Sequence, residues 1–154
     1  MTDAELEIYE TYEAKCKAVA IRRAEMLPHN KGILFAALAA AEITLVTAEF
    51  DGSGDSGQLD EPVGFNATNT VVAIPKADIT IKTVDFESGA VNEESTSVRG
   101  FIEILAYEFL HDTHSGWENN DGAYGEFRFD GTDHTVTLEY NERYVETHYH
   151  EHEF

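Results

Sequence analysis

Residues 50–61, FDGSGDSGQLDE, combine carboxylates and glycines at spacings that three kinds of functional site use. Gly52, Gly54 and Gly57 have the spacing of a dinucleotide-binding loop, but such a loop must open a helix, and the neighbouring acids would repel a pyrophosphate. The tetrapeptide GDSG also surrounds the nucleophile of trypsin-like proteases. The upstream histidine, His29, lies between two predicted helices in a chain too short for that double barrel. We therefore expect neither of these two sites.

A calcium site fits the same segment better, because Asp51, Ser53 and Asp55 place oxygen ligands at alternate positions. An EF-hand loop has glycine at its sixth position and glutamate at its twelfth, where this chain has serine and proline. Asp60 and Glu61 are further acids that could complete the shell of a hard cation. The alternative is a surface turn in which glycine and aspartate fill their ordinary turn positions.

A second candidate metal site lies in the C-terminal sequence THYHEHEF. His148, His150 and His152 alternate along a predicted strand, so they share a face and could bind zinc or nickel. Ligands two residues apart in a flat strand are, however, separated by roughly 7 Å, which a single ion bridges poorly. A histidine-rich terminus without a metal is the alternative.

The third candidate segment contains Trp117 followed by four polar residues. An aromatic ring beside several donors and acceptors is suited to ligand binding, whereas the same residues can also stabilise a loop by bonding to its backbone. The predicted binding residues therefore come from residues 50–61 and from the segment that contains Trp117: Asp51, Asp55, Asp60, Glu61, Trp117, Glu118, Asn119, Asn120 and Asp121.

These two segments, FDGSGDSGQ and HxGWENNDGxxG, together with a short acidic C-terminal hairpin, resemble a family of small bacterial proteins catalogued only as a domain of unknown function. The resemblance covers roughly Glu42 to the end of the chain. It implies a bacterial or phage-related origin and no established activity, and no catalytic residue follows from it.

The charge balance restricts the partners of the protein. The 154 residues include 10 basic and 30 acidic side chains, giving a formal charge of −20. Such a field repels phosphate backbones and anionic lipids and attracts cations and basic protein surfaces, although salt adaptation or solubility would also favour acids. We therefore expect a basic protein partner, with no direct binding of nucleic acid or membrane.

The single cysteine, Cys16, excludes an intrachain disulfide and favours a reducing compartment. The acidic N-terminal sequence does not have the basic and apolar regions of a secretory signal. The longest weakly polar run, residues 32–41, is too short for a membrane-spanning helix. These features predict a cytoplasmic location.

Helical patterns occur in three places. Thr2 and Glu5 form a predicted capping box for a first helix that extends to about Leu27. Pro28 is expected to end that helix, and Asn30 to cap a second one over the alanine-rich segment that follows. A third helix begins after Ser97 and ends near His111, with an apolar stripe at 3.6-residue spacing: Val98, Phe101, Ile102, Leu105 and Phe109.

Strand patterns are found in residues 43–50, in TVVAI and ITIKTVDF, and in the C-terminal third, whereas residues 87–95 are polar. Two-residue turns at 131–132 and 141–142 would pair Phe127 with Val136 and Leu138 with Val145 on one apolar face. We therefore predict a single α+β domain over residues 1–154. About three helices pack on an antiparallel sheet that ends in a three-stranded C-terminal meander.

The leading functional hypothesis is a non-enzymatic acidic protein that binds a basic protein surface. It could act as a nucleic-acid mimic that inhibits its target in a bacterial or phage setting. The alternatives are a divalent-metal-binding protein and a small metal-assisted hydrolase, which needs a water-activating ion and a base in one cleft. No cofactor is expected except a divalent cation under these alternatives, and the sequence defines no oligomeric state.

Overall fold

The computed structural model of the chain describes residues 2–154 and has an α+β architecture with antiparallel sheets. The described residues contain two helices, so the prediction of about three is wrong. Their elements are, in chain order: α1 (Asp3–Ala40), β1 (Leu45–Ser53), β2 (Ser56–Leu59), β3 (Val63–Phe65), β4 (Val71–Val72), β5 (Asp78–Val84), β6 (Val91–Ser97), α2 (Val98–His114), β7 (Ala123–Asp130) and β8 (Thr135–Glu142). No helix in this part of the chain is long and apolar enough to cross a lipid bilayer.

The described residues group into two compact units. The helix–hairpin unit contains the chain up to Glu42 together with Ile74–Phe101. The sheet unit contains Ile43–Ala73 together with Ile102–Phe154. The single domain over residues 1–154 stays a prediction.

In the helix–hairpin unit, α1 is one continuous helix where the sequence predicts two. Its start is as predicted, with a capping box between Thr2 and Glu5. Pro28 lies inside the helix instead of ending it. Asn30 is buried and does not cap a second helix, because its amide bonds both the N–H and the carbonyl of Lys82 on β5, at 2.8 and 2.9 Å. These contacts, and the burial of the helix that follows, outweigh a proline penalty of roughly 3 kcal/mol.

The β5–β6 hairpin completes this unit. The predicted strand ITIKTVDF is β5, with Ile79 and Ile81 buried. Its partner β6 forms from a mostly polar segment, since the antiparallel ladder supplies backbone hydrogen bonds whatever the side chains. In the connecting turn, the Asp85 carboxylate accepts hydrogen bonds from the Ser88 N–H at 2.8 Å and hydroxyl at 3.0 Å. The bond from the Ser88 N–H is the main cause that lowers the pKa of Asp85.

The sheet unit is built on a six-stranded antiparallel sheet. Five strands have the order β4-β3-β1-β7-β8, and β2 pairs with the end of β1 beyond β3. Alternate residues of the central strands point to a buried inner face. The largest of these side chains are Phe50, Phe127 and Phe129. Their alternation with polar residues leaves an outer face that is exposed or half-buried.

The predicted apolar stripe forms on α2. Val98, Phe101, Ile102 and Leu105 are buried, and Phe109 is half-buried. The Ser97 hydroxyl accepts a hydrogen bond from the Gly100 N–H at 2.9 Å and so caps the start of the helix. The helix continues to His114, one turn beyond the predicted end.

The C-terminal meander has two strands, and the prediction of a third is wrong. The β7–β8 loop has four residues, because the Asp130 carboxylate accepts from two backbone N–H groups, those of Thr132 and Asp133. The register is therefore shifted by two residues, so that Phe127 pairs with Leu138. An even shift keeps every side chain on its predicted face. No turn forms at residues 141–142, since β8 continues through them in its ladder with β7.

Candidate functional site

Residues 50–61 form a tight hairpin between β1 and β2. Gly54 and Asp55 are its two loop residues, and both have left-handed φ angles, 58° and 65°. Two consecutive left-handed residues match the two-residue loops that suit the twist of antiparallel strands. The glycine and aspartate thus fill turn positions, and a strand follows where a dinucleotide loop would require a helix.

Trp117 packs across this hairpin, and the glycines make room for it. A Cβ at Gly52 would lie 2.6 Å from the ring, and one at Gly57 would lie 2.4 Å from it. The ring also meets Phe50 edge-on, with centroids 5.5 Å apart. The glycine spacing therefore has a packing explanation, because any larger residue at either position would displace the indole.

Backbone hydrogen bonds join the hairpin to residues 117–121, the loop that begins with Trp117. The Gly54 N–H donates to the Asn120 carbonyl at 3.0 Å, and the Asp55 N–H donates to the Glu118 carbonyl at 2.9 Å. The structure thus brings together the two segments that carry the predicted binding residues. The exposed side chains at their rim belong to Asp51, Asp55, Asn119, Asn120 and Asp121.

An aromatic cluster continues from Trp117 to the end of α2. The His114 imidazole stacks on the Tyr140 ring, with centroids 3.6 Å apart and planes within 6°. Tyr140 in turn stacks on Phe50 at 6.0 Å. Burial is the main cause that raises the pKa of Tyr140, and the charges of Glu142 and Glu118 raise it further. This cluster fixes the α2 end against the sheet.

Arg143 joins three strands, and sequence reasoning missed it. Its guanidinium makes a bidentate pair with Asp51, with N···O distances of 3.1 and 3.0 Å. It also donates to the Gly52 carbonyl at 3.2 Å and lies 4.6 Å above the Tyr124 ring. The fork of donors explains why an arginine is suited to this position. Arg143 lies directly after β8, and no periodic pattern in the sequence indicates its role.

A row of carboxylates crosses the outer face of the larger sheet. The sequence patterns did not predict it. Glu49 lies directly opposite Glu126, and Glu126 lies directly opposite Glu139. Asp60 extends the row beyond β1, since its N–H donates to the Glu49 carbonyl at 2.7 Å. We call these four residues the carboxylate row. With strands about 4.8 Å apart, the row spans about 14 Å.

The carboxylate row lies in a shallow cleft of about 400 Å³. Its walls are Glu49, Phe50, Asp51, Asp60, Tyr124, Gly125, Glu126, Glu139 and Asn141. Like charges directly opposite one another destabilise a sheet. Arg128 offsets part of this repulsion, with its Nε 3.5 Å from Glu126 Oε1. Among the described residues, neither Glu49 nor Glu139 has an ion-pair partner, so the cleft presents uncompensated negative charge.

The predicted metal ligands lie apart. Asp51 is paired with Arg143, which opposes a bound cation, and Ser53 and Asp55 are exposed around the turn. The three terminal histidines lie in residues 143–154, which have no regular secondary structure. Within residues 2–154, no three His, Cys, Asp or Glu side chains are grouped so that they could hold a metal ion.

The fold and the cleft define an α+β protein with an acidic outer sheet face. Residues 26–154 match the sequence profile of a family of unknown function, DUF6878, and the chain belongs to that family. This confirms the resemblance to a family catalogued only as a domain of unknown function. No curated protein and no solved structure matches the chain.

Proposed function

We propose that the protein is a non-enzymatic interaction protein that binds a basic protein surface through its carboxylate row. The row supports this proposal because it places four acids of one sign along a single line on a rigid sheet. Regular strands position side chains more precisely than loops do. The formal charge of −20 would steer a basic partner towards the protein from a distance.

The chemistry of the cleft favours arginine and lysine side chains as its occupants. A cation placed between Glu49 and Glu139 would relieve the repulsion along the row, so binding would also stabilise the sheet. Tyr124 and Asn141 are exposed at one wall of the cleft. They could contact the aliphatic stem of a partner's arginine or lysine, or donate hydrogen bonds to the partner's backbone.

We propose that the protein binds its partner by mimicking nucleic acid. A regular row of negative groups could occupy a groove that otherwise holds a phosphate backbone, and the protein would then inhibit its partner by competition. The bacterial or phage setting remains part of the proposal.

A competition assay tests this function with a defined probe. A fluorescent DNA duplex is bound to an arginine-rich peptide, and release of the duplex is measured as the protein is added. The wild type should release the duplex. The triple variant Glu49→Gln, Glu126→Gln, Glu139→Gln should need at least tenfold more protein for the same release.

The matched control is the triple variant Glu5→Gln, Glu7→Gln, Glu10→Gln, which loses the same three charges from α1. It should compete within about twofold of the wild type, because its acids lie outside the row. Equal weakening of both variants would show that net charge, and not the row, carries the binding.

A further inference from the structure

The outer edge of β8 is open, and Glu139 and Glu142 are its charged side chains. β8 ends the larger sheet, so within the described residues its outer edge has no strand partner. Proteins usually shield such edges with charged side chains, above all lysine, with proline, with bulges or with very short strands. β8 has eight residues, TVTLEYNE, with no proline, glycine or basic residue. An edge of this kind is suited to pairing with another strand.

The chain directly after β8 favours a strand but does not form one. Residues 144–154 contain no turn or bend, and their side chains are exposed. Tyr144, Val145, Thr147 and Tyr149 are β-branched or aromatic, which favours strands. The return predicted from the sequence, with a turn at residues 141–142, does not form because these residues are held in the β7 ladder.

Arg143 further prevents this return of the chain. Its N–H donates to the Gly122 carbonyl at 2.9 Å, and its guanidinium holds Asp51. The chain therefore leaves the sheet in the direction of β8. The free edge and the segment after it both remain available to a second molecule.

We infer that two copies of the chain associate by antiparallel pairing of their β8 edges, with residues 144–146 extending the ladder. This inference does not rest on the proposed function, although Glu139 takes part in both. The occupant is a second copy because one continuous segment contains both the edge and the strand-favouring extension. Each copy then contributes both a β8 edge and the extension that pairs with the other copy's edge, as a two-fold interface requires.

The hydrogen-bond pattern restricts the register, and the charges favour one choice. The Arg143 N–H donates to the carbonyl of Gly122, directly before β7, so by alternation the even-numbered residues of β8 direct their backbone groups to the free edge. A two-fold axis at Asn141 pairs even residues with even ones and places Glu139 opposite Arg143 of the second copy. It also places Leu138 opposite Tyr144. An axis at Glu142 would instead oppose two identical carboxylates.

Disulfide trapping tests this register. In it, the two Asn141 residues form a non-hydrogen-bonded pair with Cα atoms about 4.5 Å apart, within the range of a disulfide. The variant Cys16→Ser, Asn141→Cys should therefore form a covalent dimer on mild oxidation at about 100 μM protein.

The matched control is Cys16→Ser, Thr137→Cys, on the same exposed face of β8. In the proposed register the two residues at position 137 are eight strand positions apart, or about 26 Å, so this variant should stay monomeric. Both variants should keep the melting temperature of Cys16→Ser. A folded Asn141→Cys variant that does not cross-link, or equal cross-linking of both variants, would overturn the inference.

Sedimentation of the uncross-linked chain provides a second test. A chain ending at Arg143 should dimerise at least tenfold more weakly, whereas a chain ending at His148 should match the full chain. Added salt should strengthen the dimer because it screens the repulsion between two acidic copies. Association that weakens with salt, or that survives removal of residues 144–154 unchanged, would contradict the pairing.

Discussion

The change Gly57→Ala tests the packing of Trp117 on the β1–β2 hairpin. The added Cβ would lie 2.4 Å from Cη2 and 2.7 Å from Cζ3 of the indole. Carbon atoms in contact are normally about 3.5–4.0 Å apart, so the ring must move by about 1 Å or more. The ring has little room because Phe50 meets it edge-on. Overpacking of this kind should cost about 1–3 kcal/mol of unfolding free energy.

A double-mutant cycle isolates this contact. Urea unfolding is followed by far-ultraviolet circular dichroism for the wild type, Gly57→Ala, Trp117→Ala and the double variant. Once the indole is removed, Gly57→Ala should cost less than about 0.5 kcal/mol, which gives a coupling energy of about 1–3 kcal/mol. If the two single changes are additive within about 0.5 kcal/mol, the ring does not lie on Gly57 and our explanation of the glycine spacing is wrong.

Three further changes test other parts of the structure. Leu105→Ala on α2 should cost about 2–5 kcal/mol in a urea titration, and a loss below about 0.5 kcal/mol would mean that the stripe does not face the core. Arg143→Lys should lower the melting temperature, because lysine cannot keep the bidentate pair with Asp51, whereas an unchanged melt would show that the pair is dispensable. Asp85→Ala should destabilise the protein at pH 7, and its effect should shrink as the pH is lowered below the ordinary aspartate range. Because the folded-state pKa of Asp85 is lowered, its ionised form stabilises the folded protein above the ordinary aspartate range, and this contribution is lost as pH falls through the folded pKa. If the loss of stability caused by Asp85→Ala grew on acidification, the role of Asp85 in the turn would be contradicted.

The sequence predicted those elements whose pattern is local and strong. The stripe of α2 and the alternation of β7 and β8 identified the inward faces correctly, because which residues share a face follows directly from periodicity. The break at Pro28 was wrong because a distant hairpin binds Asn30 and holds the helix together. The β8 register was wrong because the Asp130 carboxylate sets the loop length, and side-chain alternation cannot distinguish registers that differ by two.

The candidate site depended on contacts that no local pattern contains. Glu49 and Glu126 are 77 positions apart in the sequence, and only the pairing of β1 with β7 makes them neighbours. A weak pattern was nevertheless present: Glu49, Glu126 and Glu139 each precede an aromatic residue whose side chain points inward. An acid before an inward aromatic in several strands indicates an acidic outer face, although the order of the strands must be known to align the acids.

The most direct test of the carboxylate row is the rate at which an arginine-rich peptide associates with the protein. Stopped-flow fluorescence would compare the wild type with the two triple glutamine variants, one in the row and one on α1, at low and physiological salt. The row variant should associate at least fivefold more slowly than the α1 variant at low salt. The difference should shrink as salt shortens the screening length to about 8 Å. Equal rates for the two variants at low salt would contradict the claim that the row is the binding surface.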